Sequence, residues 1–400
     1  AYTYMMDATR TMTAGAVDLG EKPSVVSAIA KYHVTERARQ VVNDGMDVVG
    51  GKGICLGPSN FIGRAYQQVP IGITVEGANI LTRSLIIFGQ GAIRCHPFLL
   101  AEMQAAQNPD VRKGLVDFDR ALWSHIGFTI KNGFKALRLG MTGSHFVAVN
   151  AEIAPEMKRY YQQMTRFSAA FAFMADISLL VLGGSVKRRE KLSARLGDIL
   201  AQMYLISCTL KRYEDDGRKI EDAPLAHWAI WDSMYKAQQA FDGVIANFPI
   251  GFIATFLHRS IFPWGHPYVV PSDDVGHQVA KLLIEPSASR DRLTAECYLP
   301  KTEKEPVGAI ELALLATLEA EVIEAKIRAA EKEGRFENNP LANVRDIALV
   351  AVERGVITAA EFEIMKRRNH LRDIVVHVDD FPFDYGVATA NKPAESRMAA

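Results

Sequence analysis

The chain has 400 residues, 48% hydrophobic and 23% charged, which suits a soluble globular protein with more than one core and excludes general disorder. Forty-six Lys plus Arg offset forty-six Asp plus Glu, so no global charge favours a polyanion, and no nucleic-acid partner is expected. Cys55, Cys95, Cys208 and Cys297 show no short C-x-x-C spacing, which argues against a zinc knot or a secreted disulfide scaffold and fits a reducing cytoplasm.

No secretory leader pattern follows Ala1, and AYTYMMDATRTMT opens without turn chemistry or a cap, so an upstream portion is expected. From Ser24 to Val49 the positions Val34, Ala38, Val41, Val42 and Val49 predict an amphipathic helix, with Lys31, Glu36, Arg37 and Arg39 on its solvent side. The glycine cluster Gly50, Gly51 and Gly53 ends it. Residues from Lys52 to Gly72, rich in Gly and Pro, read as a loop, and a second helix is predicted from Asn79 to Ile93, stopped by His96 and Pro97.

A domain boundary is placed after Pro97. The apolar stretch from Ala169 to Gly184 carries Asp176 and falls short of the ~20 residues of a membrane span, so it reads as core. Leu192, Leu196, Ile199, Met203, Ile206, Leu210 and Tyr213 alternate steps of four and three, a bundle seam whose expected partner is the preceding helix through Tyr160, Met164, Phe167, Phe171 and Met174. The segment from Gly243 to Gly265, broken by Pro249 and Pro263, reads first as a buried hairpin and second as a membrane-surface contact. A further helix is expected from Val307 to about Gly334, and Thr358 with Glu361 makes a capping box. Residues 381–400 read as a loose tail, and no strand ladder or fixed repeat is visible. The fold class is therefore all-α: a helical bundle over residues 1–97, then a second helical domain over residues 98–380.

Gly50 to Ser84 stands apart from this background. Glu76 follows the apolar Ile71, Ile73 and Val75, precedes Gly77, and lies just before a helix. Two readings are open: an acid in a helix's first turn favoured by the macrodipole, or a carboxylate in a dry pocket with the raised pKa that suits a base. The glycines at Gly50 and Gly51 follow a helix, so the dinucleotide fingerprint does not apply. No metal site is read: His377, Asp379 and Asp380 lack a third ligand at suitable spacing, His96 and His125 read as capping or partly buried histidines, and Lys187 to Arg189 as a solvated face.

The blocks DVVGGKG (Asp47 to Gly53), GRAYQQ (Gly63 to Gln68) and VEGANILTR (Val75 to Arg83) keep the order and spacing of the C-terminal signature of the acyl-CoA dehydrogenase family, Q-x-x-G-G-x-G, E-R-x-Y-R-D and Y-E-G-T-x-x-I-x-R. The chain resembles the C-terminal half of that family's bacterial long-chain branch, the FadE type, including its helical C-terminal extension. The resemblance implies an FAD-dependent α,β-dehydrogenation of fatty acyl-CoA, the first step of β-oxidation, with Glu76 as the base taking the α-proton. Glu76 and Gly77 would meet the substrate, and the backbone N–H of Glu76 would bind the thioester carbonyl. Asp47, Val48, Val49, Gly50 and Gly51 would meet the flavin's ADP part, and Ala78, Asn79 and Ile80 would lie near the flavin. Three departures stand out: Asp47 for the usual Gln, Ala78 for Thr, and Gln67 with Gln68 for Arg-Asp.

It further implies an electron-transfer flavoprotein-type acceptor, a homo-oligomer, and a location in the bacterial cytoplasm or peripherally on the inner membrane. It also implies that the chain alone, without the domains that supply most of the flavin ring site, is inactive. The competing expectation is a non-catalytic helical module for dimerisation or membrane docking, in which Glu76 is idle.

Overall fold

The protein is described here from a computed structural model covering residues 1–335 and 344–383. Among the described residues every regular element is helical. In chain order these are α1 (Tyr2–Asp18), α2 (Ser24–Val49), α3 (Gly51–Ile54), α4 (Gly63–Thr74), α5 (Asn79–Leu81), a π-helix (Thr82–Gln90) continued by α6 (Gly91–Cys95), α7 (Leu99–Ala106), α8 (Val111–Met141), α9 (Lys158–Leu182), α10 (Glu190–Asp215), α11 (Ala223–Ala246), α12 (Gly251–Ile261), α13 (Asp273–Ile284), α14 (Ala288–Thr294), α15 (Pro306–Lys332), α16 (Val344–Glu353) and α17 (Ala359–Val376). The chain divides into two compact units, residues 1–38 with 70–283 and residues 39–69 with 284–400. Most of the expected tail, from residue 384, lies outside the described residues.

The first unit is built around α10, which packs most extensively on α11 and also on the π-helix and α1. The expectation that α9 is its main partner is corrected, since α9 packs chiefly on α8. The reason lies in residues that hydropathy undervalues. Between its large apolar positions α10 carries Ser193, Ala194, Gly197, Ala201 and Thr209, all buried, and these small side chains let neighbours close in on every face. Gly197 lies directly under Arg83 and Ile87 of the π-helix. Val25, Ile29, Ile87 and Ala201 form the resulting apolar cluster.

The solvent side assigned to α2 is also corrected. Its buried residues are Val25, Ile29, His33 and Arg37, whereas Val41 is exposed. Polar groups in this stripe are paired in part: Arg37 donates to His33 Nδ1 at 2.9 Å and to Gln202 at 3.3 Å, and its guanidinium lies 5.3 Å from the Tyr2 ring centre, while His33 Nε2 and Arg37 Nε are buried without a hydrogen-bond partner. Burial, with the Arg37 charge adding to it, holds the His33 imidazole well below its ordinary pKa. His33 therefore stays neutral in the folded chain while its unfolded counterpart takes up a proton below about pH 6.5. Stability from this group is present above that pH and falls as pH drops below it. Chemical denaturation at pH 7.0 and 5.5 should record that loss, and His33→Gln should flatten the slope.

By length and composition the stretch Lys158–Arg188 is apolar enough to cross a membrane. It nevertheless buries Gln162, Arg166 and Asp176, and Arg166 donates to the Ile261 carbonyl at 2.9 Å, which marks a core helix. Residues 243–265 do form a turn between two helices, α11 and α12. Leu257, Ile261 and Phe262 are buried, but Phe252 and Trp264 are each 77% exposed, so the hairpin is covered on one side only.

In the second unit α15 packs against α17, and Ile323, Ile327, Ala348, Ala351, Ile357 and Met365 make the core there. The capping box at Thr358 and Glu361 is formed in both directions. The loop expected from Lys52 to Gly72 is corrected, because α3 and α4 lie within it. Asn60 explains the helix that composition hid. Its buried amide donates to the carbonyls of Lys52, Gly53 and Cys55, each at 2.9 Å, while its oxygen accepts the N–H of Ile62 at 3.0 Å and of Gly63 at 2.7 Å, capping α4.

Candidate functional site

Glu76 sits between α4 and α5 with φ +56, and Gly77 follows with φ +86. Two consecutive left-handed residues reverse the chain between the helices. For glycine this is free, whereas for glutamate it costs on the order of 1–2 kcal/mol. Such strain persists only where the surroundings hold it, and the surroundings here are specific. Lys31 of α2 donates to the Gly77 carbonyl at 2.7 Å, to Asn79 Oδ1 at 2.6 Å and to the Ile73 carbonyl at 3.4 Å. The Asn79 amide in turn donates to Thr35 Oγ1 and Glu36 Oε1, both at 2.9 Å. Thr82 Oγ1 adds a weaker contact to the Gly77 carbonyl at 3.3 Å.

The Glu76 side chain is exposed, and so are Ile71 and Val75, at 56% and 48%. The dry pocket expected around the carboxylate is therefore not built by the residues before it. Those side chains lie at the end of α4 and point outward instead of closing over Glu76. Ala78 is half-buried, and Ile80 is 71% exposed beside the turn. Asn79 is buried with its whole amide engaged, so its side chain supports the turn, a task the sequence reading did not assign to it.

Lys31 was likewise missed, because a lysine on a helix reads as a solvated residue until its three acceptors are known. Lys31→Met should lower the thermal midpoint, reflecting about 1–3 kcal/mol for the carbonyls and amide left without a donor. Lys31→Arg, which keeps the charge with a different donor geometry, should lose less.

In the second unit Asp47, Val48, Val49, Gly50 and Gly51 lie together where α2 ends. Gly50 has φ +62 and ψ −136, a conformation open in practice to glycine alone. A Cβ added at Gly50 or Gly51 would meet nothing within 4 Å, and Val48 is 88% exposed, so the backbone of this turn is open to close approach by another molecule. Lys52 just beyond it is buried, and burial lowers its pKa. It donates to the carbonyls of Val375 at 2.7 Å and Ile374 at 3.3 Å, countering the negative end of α17.

Of the other residues considered for metal, Asp379 accepts the Ser59 N–H at 3.1 Å and His377 is exposed. His96 caps a helix as expected, its Nδ1 accepting from the N–H groups of Phe98 and Leu99 at 3.2 Å each. The basic run from Lys187 to Arg189 is exposed.

Taken together, these features define a chain that is all-helical over its described residues, presents one glutamate on a constrained, outward-facing turn and continues into a longer helical extension. The model of the acyl-CoA dehydrogenase C-terminal domain matches residues 1–88, and that of the bacterial-type acyl-CoA dehydrogenase C-terminal region matches residues 93–381. The chain belongs to the acyl-CoA dehydrogenase family. No solved structure matches it. The two matched stretches meet near residue 90.

A family of this kind is generally flavin-dependent, and the residues present suit a flavin nucleotide in part. The open glycine turn fits close backbone approach by a phosphate-bearing group. Asp47, exposed and acidic, would repel phosphate and is unsuited to that contact.

Proposed function

We propose that this chain is the C-terminal part of an FAD-dependent enzyme that desaturates fatty acyl-CoA thioesters between the α and β carbons, the opening reaction of β-oxidation. Glu76 is the base that removes the α-proton. The observation carrying this reading is that the family's base position falls on a glutamate held at φ +56 and clamped through Lys31 and Asn79. A chain that needed only an acid at a helix start has no use for that strain.

The flavin, when bound, supplies the acceptor for the β-hydride. The backbone of Val48, Val49, Gly50 and Gly51 would hold its ADP part, and Gly77, Ala78, Asn79 and Ile80 would lie near it. The Glu76 carboxylate takes the α-proton, and its backbone N–H binds the thioester carbonyl, where enolate charge develops and a fixed donor contributes most. Water is excluded from the carboxylate by bound substrate and by the domains that, in the family, precede this one. Electrons leave to an electron-transfer flavoprotein-type acceptor, the enzyme is a homo-oligomer, and it works in the bacterial cytoplasm.

The test is formation of trans-2-enoyl-CoA from palmitoyl-CoA with a dye acceptor. The enzyme carrying its flavin-binding domains should turn over and the 400-residue chain alone should not. Absence of product from the complete enzyme across chain lengths would remove the proposal.

One observation favours an additional contact with the inner membrane. Trp123, Phe134, Phe252 and Trp264 are each more than 70% exposed, and exposed aromatic side chains of this kind suit a lipid interface. Flotation with anionic liposomes checks it, and protein left at the bottom of the gradient would exclude it.

A further inference from the structure

Four segments of the first unit bring two imidazoles and two carboxylates to one point away from Glu76. His96 lies beyond α6, Glu102 on α7, His125 on α8 and Asp176 on α9. His96 Nε2 is 2.8 Å from Asp176 Oδ1, and His125 Nε2 is 3.5 Å from the same oxygen. The ligand-type atoms of His96, His125 and Asp176 all lie within 4.8 Å of one another. The side chain of Asp176 is 2% exposed, that of His96 10% and that of His125 16%.

We propose that His96, His125 and Asp176 form a binding site for a divalent transition-metal cation of the Zn²⁺ type. The proposal is independent of the dehydrogenase reading.

Glu102 Oε1 is 2.8 Å from His125 Nδ1, so a neutral His125 that holds its proton there leaves Nε2 free to ligate. Asp176 Oδ1 faces that nitrogen across 3.5 Å. With metal–ligand bonds of about 2.0 Å on each side, that same span gives an angle of roughly 120° at the metal, close to tetrahedral. Thr129 Oγ1 donates to Asp176 Oδ2 at 2.8 Å, fixing the carboxylate with Oδ1 directed at the histidines. A carboxylate behind one ligating histidine and a hydroxyl behind the ligating aspartate are the outer contacts that orient ligands and tune metal sites. An apolar collar completes the setting: Phe98 stacks on His125 at 5.6 Å, and Phe128 meets His96 edge-on at 6.1 Å.

His96 must adjust. Its Nδ1 accepts two backbone N–H groups, so without metal its proton sits on Nε2 and points at Asp176 Oδ1. A cation at Nε2 requires that proton to move to Nδ1, so the Phe98 and Leu99 N–H groups must give up their bonds to that atom and turn to water. The His96–Asp176 separation then opens from 2.8 Å to about 3.3 Å, the tetrahedral span. The competing arrangement is a plain ion-paired network with His125 doubly protonated between Glu102 and Asp176. His125 and Asp176 also line a cavity of about 750 Å³ walled by Ile126, Ile130 and Phe173. That leaves room for water to complete the coordination, as in sites that keep an open position.

The full chain, stripped with a chelator, is titrated with Co²⁺ and then with competing Zn²⁺. The expected result is one equivalent bound per chain, visible d–d bands from the cobalt form, and their loss to Zn²⁺. Asp176→Asn and His125→Gln should each weaken binding by a hundredfold or more on the order expected for lost ligands, and Glu102→Gln by roughly 10- to 100-fold as an outer-contact change. Circular dichroism confirms that each variant keeps its helix content. Should a ligand variant unfold, Glu102→Gln and the wild-type cobalt spectrum decide. Failure of the stripped wild-type chain to take up either metal at tens of micromolar overturns the proposal. So does uptake that is equally tight once His125 and Asp176 are both replaced.

Discussion

Glu76→Gln, introduced into the flavin-loaded enzyme, is expected to lower kcat for acyl-CoA dehydrogenation by about 10⁴-fold, the upper end of what a positioned base contributes. Flavin content and oligomer size should stay unchanged. Glutamine keeps the shape of the side chain and removes only the capacity to accept the α-proton, so the loss should appear in kcat with KM little altered. The backbone at this position supplies a second signature. Because Glu76 is held at φ +56, Glu76→Gly relieves a conformation that costs glutamate on the order of 1 kcal/mol. The thermal midpoint should hold or rise while dehydrogenation vanishes, an opposition expected of a strained functional residue and not of an ordinary turn. Activity retained in Glu76→Gln would instead favour the non-catalytic module, with the strain serving only to join α4 to α5.

How much of this was legible beforehand depended on whether a residue's role was local. Helix termini set by short-range chemistry were readable: His96 and Pro97 after α6, the capping box at Thr358, and the start of α15 close to Val307. The glycine turn at Gly50 and the Glu76 block were found through their likeness to a family signature. Composition alone left Glu76 open between two readings. What escaped were residues whose partners lie far away in sequence. Asn60 sits in a stretch that reads as loop, yet its five hydrogen bonds start a helix there. Arg37 and His33 look like solvent-facing residues and are buried, bonded to each other and to Gln202. The small residues of α10 gave no hydrophobic signal, although they decide which helices pack against it. The grouping of His96, His125 and Asp176 depends on three helical segments meeting, which no spacing rule encodes.

The last arginine of the VEGANILTR block illustrates the same point, and its replacement should have the largest effect on stability. Arg83 of the π-helix forms a two-pronged pair with Asp198 of α10, its Nε at 2.9 and 3.1 Å from the two carboxylate oxygens and its terminal nitrogen at 2.5 Å from one of them. Burial pushes the Asp198 carboxyl up from its ordinary pKa while Arg83 pulls it down, and the hydrogen bond to Asp198 raises the Arg83 guanidinium in turn. The bidentate geometry is that of an ionised pair, so at neutral pH both charges are present and each depends on the other. Arg83→Met keeps most of the side chain's length but strands a carboxylate whose side chain is 18% exposed. Removing one partner of such a pair costs about 3 kcal/mol, so the denaturation midpoint should fall sharply. Because the cost is that of an unpaired charge, Arg83→Met with Asp198→Asn should recover most of it. The pH dependence gives the sign. Without its counterion Asp198 titrates higher still in the folded state, above its unfolded value of about 3.9, so the folded variant gains relative stability from protonation as pH falls. The deficit against wild type should therefore shrink between pH 7 and pH 4.5. A deficit that is constant across that range and unrelieved by the second substitution would mean that Arg83 acts through the packing of its stem against α10, with the ion pair incidental.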